Sequence, residues 1–252
     1  MRVKPTLLSL SVFTAVNALG LGMAHANLIT NGDFEQTSNG GNKQLAASAA
    51  LAAGTTNRTT LLGWTSSNGN DGGYNFVLDG ATATSTASVL RLRGTDNGYT
   101  ASPTGGNIFA SDPAYYPGTL SQTLSGLSIG ASYLLTFDFG LAQQSGFSGA
   151  NSNDFWQVSF GNAVQTTTPL SIADGGFSGW KSAAMTFTAT RTSEVLSFLA
   201  KGSAPGAPPF MLLDNVSMNA SASVPEPSTL SMLLGGFAVA GVLAYRRRNR
   251  QA

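Results

Sequence analysis

Apolar and polar residues alternate with a period of two through much of the middle of the chain. In residues 131–142, five large apolar residues share one parity and the polar residues take the other, which is typical of a strand with one buried face. The same pattern predicts strands at residues 88–93, 120–127, 155–160, 183–189, 194–200 and 210–218. Turn residues separate these runs and no amphipathic helix interrupts them. The pattern therefore predicts an all-β jelly-roll β-sandwich over residues 27–220.

Residues 40–60 do not follow this alternation. Their second part, residues 44–53 (QLAASAALAA), contains mostly small residues. Such a stretch is compatible with a short helix or with a low-complexity insertion, and its side chains bury too little surface to decide between them. We interpret residues 40–60 as an insertion loop.

The N-terminus is apolar without alternation. The first 23 residues run from a basic start into an apolar stretch, and Ala24-His25-Ala26 matches the small-x-small rule for signal peptidase. We expect residues 1–26 to be a removable signal peptide, with Ala24 and Ala26 at the cleavage site and a mature start at Asn27. A permanent N-terminal membrane helix is the alternative, against which the cleavage site and the polar Asn17 argue.

The C-terminus contains a second apolar segment. Residues 228–245 carry no charge, and a helix of this length would span roughly 27 Å, enough for a bilayer core. Arg246, Arg247 and Arg248 follow directly, and the positive-inside rule keeps them in the cytoplasm. We predict a transmembrane helix at 228–245 and a basic cytoplasmic tail at 246–252. A buried core helix is the alternative, but no face of the segment is polar.

A linker at residues 221–227 precedes this segment and ends in Pro225-Glu226-Pro227. Two prolines around a glutamate prevent a helix from extending upstream. Val-Pro-Glu-Pro, an apolar span with Gly-Gly and an arginine cluster together resemble the PEP-CTERM sorting signal of Gram-negative bacteria. The resemblance implies recognition and cleavage by an exosortase, a transient anchor in the inner membrane, and a final location at the cell surface or outside the cell. In that family the host species typically makes exopolysaccharide.

The central region also contains motifs in a recognisable order. NLITNGDFE opens it at residues 27–35, LGW follows at 62–64, and LLDNV closes it at 212–216. This order is similar to the galactose-binding-like β-sandwiches, which include several carbohydrate-binding modules. In those modules, a glutamate of the opening motif and an aspartate of the final strand hold a structural calcium ion. The matching positions here are Glu35 and Asp214.

The pattern around Asp214 gives an independent reason to consider an ion. Asp214 shares its parity with the apolar residues of the predicted strand 210–218, and a buried carboxylate without a partner costs several kcal/mol. Calcium bound by Asp214, Glu35 and backbone carbonyls near Gly32–Asp33 would compensate this cost. The alternative is that Asp214 caps a strand end and accepts hydrogen bonds from backbone amides.

The composition excludes several kinds of chemistry. The chain has no cysteine, and its one histidine, His25, lies in the predicted signal peptide. Disulfides, thiolate sites, imidazole zinc sites and Ser-His-Asp triads are therefore excluded from the mature chain. Residues 27–224 contain 7 Lys and Arg against 11 Asp and Glu, so we expect no nucleic-acid partner.

Only carboxylates remain as candidate catalytic groups, and glycosidases need two of them across a bond. The aspartates available outside the motifs are Asp71, Asp79, Asp96, Asp112, Asp138, Asp154 and Asp174. No spacing singles out a pair, so we expect no enzymatic activity.

Sugar sites combine flat aromatic rings with polar groups. The candidates in predicted loops and edges are Tyr74, Tyr99, Tyr115 and Tyr116, with ordinary packing as the alternative for each. Trp64, Trp156 and Trp180 are predicted core residues. We expect a non-catalytic module that binds extracellular polysaccharide. A structural matrix protein without a specific ligand and a carboxylate-dependent polysaccharide hydrolase are the alternatives.

Overall fold

The computed structural model describes residues 26–47, 54–67, 73–94, 96–202 and 208–221. The predicted linker, transmembrane helix and basic tail lie outside these ranges, apart from Ser221, and so does the predicted signal peptide, apart from Ala26. Ala24, Pro225, Glu226, Pro227 and the three arginines Arg246, Arg247 and Arg248 are therefore outside the described residues. No helix in the described part of the chain is long and apolar enough to cross a membrane.

The described ranges contain thirteen strands. Their bounds are β1 Lys43–Leu45, β2 Arg58–Thr59, β3 Thr65–Ser67, β4 Asn75–Asp79, β5 Asn107–Ser111, β6 Thr119–Ser125, β7 Ser132–Gln143, β8 Asn151–Phe160, β9 Ala163–Thr166, β10 Leu170–Ile172, β11 Lys181–Thr188, β12 Ser193–Lys201 and β13 Pro209–Ala220. Six of the seven strands predicted from alternation correspond to β6, β7, β8, β11, β12 and β13.

Two sheets pack face to face. The large sheet has the order β11-β7-β13-β5-β4-β1-β2, and the small sheet has the order β10-β8-β12-β6-β3 with β9 paired to β8. From β5 to β8 and from β10 to β13, consecutive strands alternate between the sheets. The described domain is thus the all-β jelly-roll sandwich that the sequence predicts.

The main core lies between the two sheets. β7 contributes all five of its predicted apolar residues to it. Trp156 of β8 is fully buried, and its ring lies 5.8 Å from that of Phe109 on β5 and 6.2 Å from that of Phe198 on β12. Trp64 is also buried in this core, so the core predictions for Trp64 and Trp156 agree with the structure.

A second apolar cluster covers the other face of the large sheet. Phe76, Ala110 and Leu212 belong to it, whereas their neighbours along the strands face the main core, as the pleat requires. Residues 80–106 contribute Leu90 and Leu92 to this cluster.

The strand predicted at residues 88–93 is wrong. Only Leu92 forms an isolated bridge, to Gln144, and the Leu92 amide donates to the Ala83 carbonyl at 2.8 Å. The alternation arises because Leu90 and Leu92 pack onto the large sheet from a covering loop. Trp180 is likewise not a main-core residue: it is partly buried at this second cluster, and its Nε1–H donates to the Thr100 carbonyl at 3.1 Å.

Residues 40–60 contain regular structure where we expected an insertion loop. β1 pairs with β4 in antiparallel and with β2 in parallel, and Leu45 is buried in the main core. Pairing with β1 satisfies backbone groups that β4 would otherwise leave at the sheet edge. Residues 48–53 lie outside the described ranges.

The parity expected for the last strand also changes along its length. The pairing of β13 with β7 shifts register between Asp214 and Ser217, and Asn215 has φ 54°, a left-handed conformation that asparagine tolerates. Asp214 therefore lies on the second-cluster side with Leu212. Val216, after the bulge, faces the main core, so its predicted common face with Asp214 is wrong.

Candidate functional site

Three of the four candidate tyrosines come together at one surface cleft. Tyr74 directly precedes β4, and Tyr115 and Tyr116 lie in the loop that follows β5. The Tyr115 ring is 5.1 Å from that of Tyr74 and 5.0 Å from that of Tyr116, and both pairs are nearly perpendicular. With Gln44 and Gly73 these rings line a cleft of about 350 Å³, which we call the tyrosine cleft.

Backbone hydrogen bonds hold the loop of the tyrosine cleft in place. Asp112 Oδ1 accepts from the amides of Ala114 at 2.8 Å and Tyr115 at 2.9 Å, as in an Asx turn. The Tyr74 amide donates to the Tyr116 carbonyl at 2.7 Å. The two tyrosines after β5 are thus presented by a loop with a defined conformation.

A glycine allows the two sides of the cleft to meet. A Cβ on Gly73 would lie 2.6 Å from Gly118 Cα, and the φ of Gly73 is +74°. Both observations require glycine at this position. The Gly73 carbonyl accepts from Gln44 Nε2 at 3.0 Å, which ties β1 to the cleft.

The three rings differ in exposure. Tyr115 and Tyr116 are 58% and 63% exposed, whereas Tyr74 packs against Phe76 and Phe210 with ring centroids 4.8 and 5.8 Å away. Burial, and then the charge of Asp112, raise the pKa of Tyr74. Its hydroxyl is therefore a neutral donor at physiological pH, beside two exposed rings. This combination can stack on the C–H face of a sugar and orient it.

Tyr99, the fourth candidate, is not at the tyrosine cleft. Its hydroxyl donates to the Gly80 carbonyl at 3.0 Å, and its ring lies 5.1 Å from that of Phe177 at the second apolar cluster. Burial raises the pKa of Tyr99. The contacts are those of a packing residue. Sequence reasoning in turn missed Gln44 and Gly73, because only the pairing of β1 with β4 brings Gln44 to the cleft.

Glu35 and Asp214 contact the same loop, residues 102–107. Glu35 Oε1 accepts from the Asn107 amide at 2.6 Å. Asp214 Oδ2 accepts from the hydroxyls of Thr104, at 2.7 Å, and Ser102. Asp214 Oδ1 accepts from the amide of the next residue at 2.7 Å. Burial raises the pKa of Asp214 although these hydrogen bonds oppose the shift.

This arrangement offers hard oxygen ligands of the kind that calcium prefers, from the two carboxylates and the loop hydroxyls. The burial of Asp214 is nevertheless already compensated by hydroxyl and amide donors, as the hydrogen-bonded alternative requires. In the described ranges, no cluster of three or more histidine, aspartate and glutamate residues is placed to hold a metal.

Three further carboxylates accept hydrogen bonds elsewhere in the fold. Asp79 accepts from the Ala81 amide, Asp138 from Ser182 Oγ and Asp174 from the Gly149 amide. These are structural roles. The described residues that line the tyrosine cleft include no carboxylate.

Several solved structures are similar to this chain. The TmCBM61 structure in complex with β-1,4-galactotriose has 14% identity and a TM-score of 0.43, and the match covers 78% of this chain and 99% of that one. The CBM22-1 xylan-binding domain of Paenibacillus barcinonensis Xyn10C has 13% identity and a TM-score of 0.36, with 80% and 98% covered. The arabinose-bound MgGH51 α-L-arabinofuranosidase has 17% identity and a TM-score of 0.37, with 80% and 27% covered.

No curated protein matches the sequence. The C-terminal segment does match a family model: residues 223–248 correspond to the PEP-CTERM protein-sorting motif. This match confirms the sorting signal predicted from the Pro-Glu-Pro linker, the apolar span and the arginines. The chain is therefore an all-β sandwich protein that carries a PEP-CTERM signal for export and C-terminal sorting.

Proposed function

We propose that this protein is sorted by an exosortase to the cell surface or extracellular matrix of a Gram-negative bacterium, where its sandwich binds extracellular polysaccharide without catalysis. The observation that carries the proposal is the tyrosine cleft, in which two exposed rings stand beside the anchored Tyr74. Contiguous exposed apolar surface rimmed by polar groups often marks a binding site.

Preorganisation supports a binding role. The Asx turn at Asp112 and the hydrogen bond between Tyr74 and Tyr116 fix the loop before any ligand arrives. A ligand then loses less affinity to the ordering of side chains and backbone. Tyrosine has only two side-chain torsions, which lowers this cost further.

Glycan-array screening of the exported chain, followed by calorimetry on the best ligand, tests the proposal. We expect Tyr115→Ala and Tyr116→Ala each to weaken binding about tenfold, the loss typical of an aromatic contact residue. Phe147→Ala is the matched control, because Phe147 is an exposed aromatic that lines a different cleft with Arg91 and Arg93.

Two results would contradict the tyrosine cleft as the site. Unchanged affinity in both tyrosine variants, with a loss in Phe147→Ala, would place binding at the other cleft. A folded chain that binds no glycan on the array would favour a structural matrix protein without a specific ligand.

Exosortase processing requires the linker motif. Replacing Pro225, Glu226 and Pro227 together by alanine should leave the protein in the inner-membrane fraction, because the recognised motif is absent while the apolar span remains. Fractionation and immunoblotting measure this, with Ser223→Ala as the control. Normal release of the triple variant would count against sorting through this motif.

A structural calcium ion is also part of the proposal. Glu35 and Asp214 would hold it, with the hydroxyls of Ser102 and Thr104 as further oxygen ligands. The ion would join the opening segment to β13 through the loop of residues 102–107. Glu35→Gln should then remove one equivalent of bound calcium, as measured by calorimetry.

A further inference from the structure

Polar side chains line the space between the sheets at one end of the main core. Ser111 follows Phe109 by two residues on β5, and Asp154 precedes Trp156 by two residues on β8. The rings of Phe109 and Trp156 are in contact across the sandwich. Because side chains two apart on a strand share a face, Ser111 and Asp154 form the next layer between the sheets.

Within the described ranges, several polar atoms of this layer have no hydrogen-bond partner. Asp154 is fully buried, and neither of its carboxylate oxygens has a partner within the described residues. The same holds for Ser111 Oγ and for Oδ1 of Asn75, the residue paired with Ser111 on β4. Such atoms are rare in folded proteins and indicate a bound ion or water. An unpartnered buried carboxylate is strongly unfavourable.

A second carboxylate lies beside this layer. Asp112 follows Ser111 and is almost fully buried. A Cβ on Gly202 would lie 1.9 Å from Asp154 Oδ1 and 3.1 Å from Pro113 Cβ, so Asp154 approaches the residue next to Asp112. Burial, and then the charge of Asp112, raise the pKa of Asp154 to about 7. The two carboxylates therefore belong to neighbouring segments, because the turn that begins at Asp112 contains Pro113.

We propose that Asp154 and Asp112 bind a divalent cation between the sheets. The oxygens of Ser111 and Asn75 are available as further ligands. A set of carboxylate, hydroxyl and amide oxygens is the chemistry of calcium. This cation site differs from that of Glu35 and Asp214, because Asp214 lies on the opposite face of the large sheet.

The cation site has a consequence for the tyrosine cleft. Asp112 Oδ1 already accepts from the amides of Ala114 and Tyr115. An ion bound to the same carboxylate fixes the start of the loop that presents Tyr115 and Tyr116. This consequence rests on the proposed function, whereas the cation site does not.

Calcium titration of the exported chain, after treatment with EDTA and dialysis, tests the site without any sugar. Calcium at 100 times its dissociation constant should raise the melting temperature by roughly 5–10 °C. Terbium should bind in place of calcium and show luminescence excited through the adjacent Trp156. Asp154→Asn and Asp112→Asn should each weaken cation binding at least tenfold and shift the terbium luminescence titration to correspondingly higher concentration.

The matched control is Glu35→Gln, which alters the other candidate site and should keep the terbium luminescence. Equal calcium affinity and stoichiometry in wild type, Asp154→Asn and Asp112→Asn would overturn the proposal. A melting temperature of Asp154→Asn that is higher than that of wild type and does not depend on calcium would also overturn the proposal. It would mean that the Asp154 carboxylate has no ion to compensate its burial. If Asp154→Asn does not fold, the Asp112→Asn variant and the calcium titration of the wild type still test the proposal. Sugar binding is measured in a separate experiment, so the absence of sugar binding would not affect the conclusion about the cation site.

Discussion

Trp156→Ala is expected to lower the free energy of unfolding by about 3–5 kcal/mol. The indole is fully buried between the sheets and contacts the rings of Phe109 and Phe198. Its Nε1–H donates to the Leu212 carbonyl at 3.0 Å. Alanine would leave a cavity and remove this hydrogen bond, and both effects destabilise the fold. Urea denaturation followed by circular dichroism measures the change.

Trp156→Phe separates the two contributions. Phenylalanine retains most of the ring packing but cannot donate to the Leu212 carbonyl. Trp156→Phe should therefore lower the free energy of unfolding clearly less than Trp156→Ala does. Phe147→Ala removes an exposed ring and should change stability by less than about 0.5 kcal/mol. A loss below 1 kcal/mol in Trp156→Ala would mean that this indole does not lie in the centre of the core.

Gly32→Ala is expected to destabilise the domain by about 3 kcal/mol. A Cβ at this position would lie 1.9 Å from the Val216 carbonyl oxygen, which is backbone and cannot rotate away. The Val216 amide also donates to the Gly32 carbonyl at 2.9 Å. The substitution therefore pushes the opening segment away from β13 and weakens this hydrogen bond. Thermal and urea denaturation measure the effect.

Gly140→Ala is the matched control for Gly32→Ala. The nearest atom to its added Cβ would be the Gly179 carbonyl oxygen at 3.3 Å, so a small adjustment accommodates the methyl group. Gly140→Ala should therefore lower the free energy of unfolding by less than about 1 kcal/mol. Equal stability of Gly32→Ala and wild type would contradict the close approach of residues 27–32 to β13.

The alternation of single strands could be predicted where each strand buries one continuous face. β7 is the clearest example, because the main core receives all of its odd-numbered apolar residues. The prediction for residues 88–93 failed because a covering loop can bury alternate leucines as a strand does. On β13 it failed beyond Asp214, because one left-handed asparagine inserts an extra residue and exchanges the two faces.

The candidate site was predicted in part. Tyr115 and Tyr116 were identifiable because the sequence places both aromatic rings in a predicted loop. Their association with Tyr74 depends on the pairing of β4 with β5, and Gln44 joins them through the pairing of β1 with β4. These pairings are long-range, so no local pattern contains them. Tyr99 also lies in a predicted loop or edge, yet it packs against Phe177.

The sequence by itself determined the all-β class, the sorting signal, the absence of cysteine and the restriction of histidine to position 25. These properties depend on local periodicity, on contiguous motifs and on composition, which a linear chain displays directly. Only the tertiary structure decided which tyrosines form the cleft and which buried carboxylates accept hydrogen bonds that compensate their burial. Asp214 meets hydroxyl donors whereas Asp154 meets none within the described residues. That difference arises from which strands and loops face each side chain, and such contacts exist only once the sheets have packed.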